Sequence, residues 1–166
     1  DADAKTYDAR VVIRSKDNAS QLFEERVQQV LDDLCATTNC TVEWYQLNDA
    51  DAEITQRAEP SGNLVRVKAQ LGFRRSFNGE LDAVNRISMA AGVANCAEWE
   101  PPGGYVKYYP GEYVKIPLDE TLAFVKQVND DLLTYDIEWN KNGIRRHAAG
   151  VRDASGTLIG VLALAT

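Results

Sequence analysis

The C-terminal residues 143–165 constrain the fold most, because they have the pattern of two β-strands joined by a tight turn. The turn is Asp153-Ala154-Ser155-Gly156, in which the Asp side chain hydrogen-bonds to the backbone and the Gly accepts a positive φ. The second strand is apolar on both faces, which is typical of a central strand covered on both sides. The first strand carries Ala148, Ala149 and Gly150, whose small side chains leave room for a helix or a ligand. The hairpin therefore predicts a sheet with the last strand in its middle.

Length and composition indicate a single globular domain spanning residues 1–166. Hydrophobic residues make up 45% of the chain and charged residues 26%, as is usual for a soluble domain with its own core. We expect residues 1–6 to form a loose tail and residues 101–117 to form a hairpin insert. The net charge of −7 disfavours a nucleic-acid-binding face, and no apolar run is long enough to span a membrane. We therefore expect a cytoplasmic protein.

The remaining hydrophobic patterns predict an antiparallel sheet with helices packed on it, an α+β fold. Helical spacing predicts a first helix with an N-cap at Asn18 and an end near Thr38. It also predicts a third helix that is capped by Asp119 and whose apolar stripe reaches Leu132. In chain order, the predicted elements are a strand at 10–14, the first helix, strands at 41–47, 52–58 and 65–71, a helix at 81–91, a hairpin at 105–108 and 113–116, the third helix and the terminal hairpin.

Three stretches resemble known sensor domains. Residues 143–165, with the Asp-x-x-Gly turn and an apolar strand after it, resemble the last two strands of GAF-type sensor domains and of the effector domain of IclR-type transcriptional regulators. Residues 31–44 are similar to the helix-to-strand entry of IclR-type effector domains. Residues 65–77, followed by the helix at 81–91, are similar to their strand, Gly-x-Arg loop and next helix. The resemblance implies a GAF/PAS-like fold and a regulatory domain that senses a small molecule and signals to a partner domain or subunit.

The resemblance also has implications for assembly. In the families that the chain resembles, a helix at the position of the first helix pairs subunits, which implies a homodimer. The apolar stripe of Phe23, Val27, Val30 and Leu34 fits this role, and it equally fits a helix that covers the sheet. No helix-turn-helix segment is visible, so we expect no direct DNA binding by this chain. The Tyr-rich hairpin has no counterpart in the effector pattern, and that pattern predicts a closing helix after residue 166.

The candidate ligand site combines a polar loop, a strand of small residues and a group of tyrosines. An arginine fork beside a hydroxyl suits a carboxylate ligand. We therefore expect a small, anionic metabolite between the sheet face and the loop at 72–78, beneath the hairpin at 105–116. The predicted ligand-binding residues are Arg74, Arg75, Ser76, Tyr105, Tyr109, His147 and Ala149. The alternatives are arginines in surface ion pairs, tyrosines in cross-strand packing and a structural His147.

The cysteines leave two other classes of function open. Cys35, Cys40 and Cys96 are odd in number and irregular in spacing, so they predict reduced thiols rather than a disulfide framework. With a single His, the sequence offers no zinc set, and we expect no metal, no cofactor and no catalytic residues. One alternative is a ligand-free interaction or dimerisation module of a larger protein. The other is a small thiol-dependent enzyme of GAF-like fold that acts through Cys96.

Overall fold

The computed structural model describes residues 16–62, 67–77, 80–94, 104–107, 112–140 and 142–166. The helices in these ranges are α1 (Lys16–Thr38), α2 (Ala83–Ala90) and α3 (Leu118–Val125). The strands are β1 (Thr41–Leu47), β2 (Asp51–Ala58), β3 (Arg74–Ser76), β4 (Gly104–Lys107), β5 (Tyr113–Ile116), β6 (Leu133–Tyr135), β7 (Arg146–Arg152) and β8 (Leu158–Ala165). None of the described helices has the length and apolar character needed to cross a membrane.

Six strands form one antiparallel sheet in the order β3-β2-β1-β8-β7-β6, and β4 pairs with β5 in a separate hairpin. β8 lies between β1 and β7, so the prediction of a central last strand is confirmed. The turn before β8 has the expected chemistry, because Asp153 Oδ1 accepts hydrogen bonds from the backbone nitrogens of Ser155 (2.8 Å) and Thr157 (3.0 Å). An antiparallel sheet with packed helices confirms the predicted α+β class.

Different helices cover the two faces of the sheet, and strand alternation assigns each side chain to one face. On the first, which we call the α1 face, α1 packs over β1 and β2 with Leu31 against Val42 and Trp44. On the second, the α2 face, α2 packs over β6, β7 and β8 with Ile87 and Ala148 in one apolar cluster. The short α2 is stable here because nearly all its side chains are buried.

Gly150 on β7 lies directly beneath α2. A Cβ atom at this position would lie 2.8 Å from Leu132 Cδ1 and 3.0 Å from Ile87 Cγ2. The small residue therefore permits close packing of a helix on the sheet. The sequence left open whether a helix or a ligand packs against these small residues, and at Gly150 the structure shows a helix.

The predicted strand at 65–71 is wrong for the part that the structure describes. Residues 67–71 are irregular, and a turn with Gly72 at φ +81° follows them. Arg57 provides the physical reason, because its guanidinium donates to the carbonyl oxygens of Val67 (3.1 Å) and Ala69. These carbonyl groups bond to a side chain, and none of the ladder pairs that the structure describes includes residues 67–71. The strand that extends the sheet is β3, which begins three residues after the predicted strand ends.

Two helix boundaries also differ from the prediction. α1 begins at Lys16, so Asn18 lies inside the helix and is not its N-cap, whereas the predicted end at Thr38 is confirmed. α3 has Pro117 at its N-cap position, and Asp119 instead lies in the first turn, where a carboxylate is favoured by the helix dipole. α3 ends at Val125, well before Leu132, whose φ of +54° excludes it from a helix.

The structure adds one strand, β6, that the sequence patterns did not predict. Its three residues are too few for a visible alternation, and Asn129 starts it by accepting a hydrogen bond from the backbone nitrogen of Leu133 (2.7 Å). The predicted hairpin is confirmed in its two strands, β4 and β5. The predicted strand at 10–14, the tail at 1–6 and the turn at 108–111 lie outside the described residues, so the domain limits stay a prediction.

Candidate ligand-binding site

A cavity of about 230 Å³ lies on the α2 face of the sheet, and we call it the central cavity. Its walls come from the N-terminal end of α2, from β4, from the loop before β3 and from the connection between β6 and β7. Its lining residues are Val67, Lys68, Ala69, Phe73, Arg75, Glu80, Leu81, Asp82, Tyr105, Val106, Asp136, Ile137, Glu138, Asn140, Asn142, Ile144 and Arg146.

A buried ion pair between Glu43 and Arg146 forms the floor of this region. Arg146 Nε donates to Glu43 Oε2 (2.8 Å) and Arg146 Nη2 donates to Glu43 Oε1 (3.3 Å). β1 and β7 flank β8, and Ala163 of β8 lies opposite Glu43, so a small side chain separates the two strands that carry the pair. Both charged side chains are almost fully buried, at 0% and 4% exposure. Two aligned hydrogen bonds fix the guanidinium plane.

The hydrogen-bond network continues from Glu43 to the end of α2. Tyr45 Oη donates to Glu43 Oε2 (2.7 Å) and accepts from Arg75 Nε (3.0 Å). Arg75 Nη1 forms an ion pair with Asp82 Oδ2. Arg75 is also held by cation–π contacts, with its Cζ atom 5.4 Å from the Phe73 ring centre. The two arginines of the cavity are therefore fixed by one continuous network.

Two aspartates connect this network to the N-terminal end of α2. Asp82 is the N-cap, and its Oδ1 accepts from the backbone nitrogen of Asn85 (2.8 Å). Asp136 Oδ1 accepts from the backbone nitrogen of Ala83 (2.8 Å), and its Oδ2 accepts from that of Arg146 (2.8 Å). Carboxylates at this end satisfy backbone donors and favour the helix dipole. A change at either arginine is therefore coupled to the position of α2.

The environment sets the charge of each group in the network. Burial alone would raise the pKa of Glu43, but Arg146, together with the Tyr45 hydrogen bond and the charge of Arg75, outweighs burial and lowers it. Burial alone would lower the pKa of Arg75, but the combined effects of Asp82, Tyr45 and Glu80 raise it above its ordinary value, so this guanidinium stays charged. Burial raises the pKa of Tyr45, which keeps its phenol proton available for donation. Burial and then the charge of Asp82 raise the pKa of Asp136.

Each of the two arginines has one nitrogen that is not bonded by the described part of the chain. Arg75 Nη2 and Arg146 Nη1 have no hydrogen-bond partner among the residues that the structure describes, and both arginines line the central cavity. Burial and then the charge of Arg75 act to lower the pKa of Arg146, although Tyr45 and Glu43 raise it overall, so the two cations are close enough to repel each other. An anion placed between them would relieve this repulsion and accept from both free nitrogens.

The structure does not bring the predicted site residues into one pocket. Arg75 and Tyr105 line the central cavity. Arg74 points the other way, is 61% exposed in its side chain and pairs with Glu53 at 2.7 Å. His147 and Ala149 lie on the α1 face, because residues one apart from Arg146 and Ala148 on a strand face the opposite side.

Of the remaining two predicted residues, Ser76 is exposed and does not line the central cavity, and Tyr109 lies outside the described residues. The rings of Tyr105 and Tyr113 meet edge to face with centres 6.4 Å apart, as expected for the alternative of packing across a hairpin. A role of any predicted residue in ligand binding stays a prediction.

The sequence analysis missed Glu43, Asp82, Asp136 and Arg146. A signal for Glu43 was present, since an acidic residue between Val42 and Trp44 interrupts an apolar strand. A signal for Arg146 was its position two residues before Ala148, which places both on the same face. No local pattern identifies Asp136, because it bonds to the backbone of Ala83, 53 residues earlier, as well as to that of Arg146.

The cysteines within the described residues are both free thiols. Cys35 is buried and Cys40 is half-buried, and they are not joined in a disulfide. Burial, followed by the charge of Asp32, raises the pKa of Cys35, which disfavours the reactive thiolate. Cys96, the residue on which the enzyme alternative rests, lies outside the described residues.

Comparisons with known proteins identify solved structures that have a similar fold. No family model matches the chain, and a search of curated proteins finds no match. Among solved structures, the transcriptional regulator YaiJ is 17% identical, with a TM-score of 0.67 over 87% of this chain and 80% of that chain. The inducer-binding domain of the transcription factor PobR from Acinetobacter, a double mutant in complex with 3-hydroxybenzoic acid, is 20% identical, with a TM-score of 0.64 over 86% and 81%.

A putative IclR transcriptional regulator from Silicibacter is 16% identical, with a TM-score of 0.68 over 90% of this chain and 59% of that one. This chain therefore spans little more than half the length of that regulator. The predicted resemblance to IclR-type effector domains is confirmed at the level of the fold.

Proposed function

We propose that this chain is the ligand-sensing regulatory domain of a transcriptional regulator and that it binds a small carboxylate in the central cavity. The observation that carries the proposal is the pair of buried arginine side chains, Arg75 and Arg146, each fixed by a carboxylate and each with one nitrogen that no described residue bonds. Fixed donors bind a planar anion with little loss of side-chain entropy. The fold supports the proposal, because PobR uses it as an inducer-binding domain.

The cavity limits the ligand in size and polarity. A volume of about 230 Å³ is below the roughly 300–1,000 Å³ of pockets for drug-sized molecules, so a small metabolite fits best. Leu81 and Ile144 provide an apolar wall for its carbon atoms. Glu80 and Glu138 also line the cavity and favour a hydroxyl or amino group on the ligand. A hydroxy or amino acid combines these features.

α2 is the element through which the signal would pass. Asp82 and Asp136 hold its first turn and are bonded to the two cavity arginines or to their backbone. A ligand that attracts the Arg75 guanidinium competes with Asp82, the N-cap of α2, and shifts the equilibrium between two positions of α2. The receiver would be a DNA-binding partner domain or subunit, since the chain itself is acidic.

The test is calorimetric titration with acetate, lactate, succinate and benzoate, accompanied by melting curves. We expect at least one of them to bind and to raise the melting temperature. Arg75→Gln should weaken that binding by about ten- to a hundredfold, since a hydrogen bond to a charged group contributes about 1.5–3 kcal/mol. The matched control is Arg74→Gln, one residue away and exposed, which should leave the affinity unchanged. Equal losses in the two variants, or no binding by any of the four anions, would refute the proposal.

We further propose a homodimer formed through α1. Although α1 covers part of the sheet, Leu22, Phe23 and Val30 remain 41%, 43% and 48% exposed, and an apolar strip of this kind favours a protein contact. The same strip is the observation that favours the alternative of a ligand-free dimerisation module.

Sedimentation at micromolar concentration tests this contact. We expect a dimer, and we expect Val30→Lys to convert it to a monomer because a cation would be buried at the contact. Ala36→Lys, on an exposed position of the same helix, should leave the dimer intact. A monomeric wild-type chain would rule out dimer formation by this chain alone.

A further inference from the structure

A second depression, about 660 Å³ in volume, follows the outer edge of β6, and we call it the edge cleft. β6 is the last strand of the sheet, and α3 contributes Phe124 to the opposite wall. Side chains from β6 and β8 complete it with Leu133, Tyr135, Leu162 and Leu164. Of the described residues that line the two cavities, only Ile137 is common to both. The two are therefore separate sites.

The edge cleft has a charge opposite to that of the molecule. Among its described lining residues are Arg86 and Arg145, and none of those lining residues is an Asp or Glu. The central cavity, in contrast, is lined by four carboxylates, and the whole chain has a net charge of −7. A local cluster of cations in an acidic protein favours an anion at that point.

Arg86, at the base of the cleft, is a buried cation with few partners. It is 3% exposed, and its Nη2 donates to the carbonyl oxygen of Tyr135. Its Nε is buried without a hydrogen-bond partner, and no ion pair joins it to a carboxylate among the described residues. Burial lowers its pKa although Asp136 and Asp82 act in the opposite direction. A buried charge left in this way is costly unless a further anion is present.

Arg145, at the rim of the cleft, is held in a fixed orientation. Its Cζ atom lies 4.8 Å from the ring centre of Tyr135 and 5.7 Å from that of Trp139. Its Nε and Nη2 donate to the carbonyl oxygens of Asp136 (2.8 Å) and Ile137 (3.1 Å). The aromatic rings remain about half exposed, at 53% for Tyr135 and 43% for Trp139. A fixed cation beside exposed rings is suited to an anion with an apolar body.

We propose that the edge cleft is a second binding site, for an organic anion whose carboxylate or phosphate group meets Arg86 and Arg145 and whose apolar or aromatic body lies against Leu133, Tyr135 and Phe124. The site does not depend on what the central cavity binds, because the two cavities use different arginines. A ligand here would contact α3, and through Arg86 it would contact α2. Two sites on one helix permit each ligand to change the affinity for the other.

The experiment is a heteronuclear NMR titration of the intact chain with phenylpropionate, phenyl phosphate and the neutral analogue phenylpropanol. We expect at least one anion to shift the amide signals of residues 133–135 and 145–149, and the alcohol to bind at least about tenfold more weakly. The preferred anion identifies the head group. Arg145→Gln should weaken binding by about tenfold or more, and so should Arg86→Met, while the exposed Arg152→Gln is the matched control.

The central-cavity variant Arg75→Gln separates the two sites, since it removes no group that lines the edge cleft and should weaken binding there far less than Arg145→Gln does. Shifts confined to residues around the central cavity, equal binding of the neutral alcohol, or no shifts with either anion would each overturn the proposal. A negative NMR titration of the edge cleft would not alter the calorimetric result for the central cavity. A negative calorimetric result would likewise not alter the NMR result.

Discussion

Arg146→Met should lower the free energy of unfolding by about 3–5 kcal/mol, because it leaves the carboxylate of Glu43 buried and without its partner. Tyr45 would still donate to Glu43, but one neutral hydrogen bond does not compensate a buried charge. Urea unfolding followed by circular dichroism measures the loss as a lower midpoint at an unchanged slope.

The control is the double variant Glu43→Leu/Arg146→Met, which removes both charges together. Replacing a whole buried pair by apolar side chains is often close to neutral, so the double variant should be more stable than Arg146→Met alone. A double variant less stable than either single variant would contradict the assignment of the loss to an unpaired Glu43.

The same pair gives a pH dependence of defined sign. The pKa of Glu43 is lower in the folded chain than its ordinary value of 4.5, so the folded state favours the ionised form. The stabilisation is therefore present above about pH 4.5 and is lost as the pH falls through the folded pKa. The wild-type chain should lose stability over this range faster than the double variant, which lacks the carboxylate. Parallel curves for the two proteins would contradict the pKa assignment.

Gly150→Leu should destabilise the fold by about 3 kcal/mol, at the upper end of the roughly 1–3 kcal/mol that overpacking costs. Its Cβ atom alone would approach Leu132 and Ile87 to 2.8 and 3.0 Å, and the rest of the side chain would have to displace α2. Because α2 carries Asp82, the variant should also lose affinity for the central-cavity ligand. Thermal unfolding and the calorimetric titration measure the two effects.

Ala149→Leu is the matched control for Gly150→Leu. It adds bulk one residue earlier on the same strand, but toward the edge cleft, where space is available. We expect a change in stability within about 0.5 kcal/mol. Equal destabilisation by both substitutions would show that β7 itself, rather than contact with α2, is sensitive to bulk.

The fold could be predicted where a local pattern was sufficient. The terminal hairpin contains its own turn residues and an apolar strand, and α2 has an apolar face at helical spacing. The segment at 67–71 could not be predicted, because its carbonyl groups are held by the side chain of Arg57 on a neighbouring strand, a tertiary contact that leaves no local pattern. The prediction missed β6 for a different reason. Its three residues are too few to show an alternation of apolar and polar side chains, and its position depends on pairing with β7.

The candidate site was only partly predictable for a related reason. Arg75 could be identified from the sequence because its residue type and loop suggested an anion site. Its neighbour Arg74 has the same chemistry, and only the register of β3 against β2 decides which of the two faces inward. The pairing of Glu43 with Arg146 joins residues 103 positions apart, a contact that depends on the strand order of the whole sheet.

A crystal structure of the chain with the tightest-binding small carboxylate tests the central claim most directly. We predict the carboxylate in the central cavity, with its oxygens at about 2.7–2.9 Å from the free nitrogens of Arg75 and Arg146. The ion pairs of these arginines with Asp82 and Glu43 should still be recognisable beside it. A ligand bound only in the edge cleft, or a central cavity that holds only water at saturating carboxylate, would contradict the account.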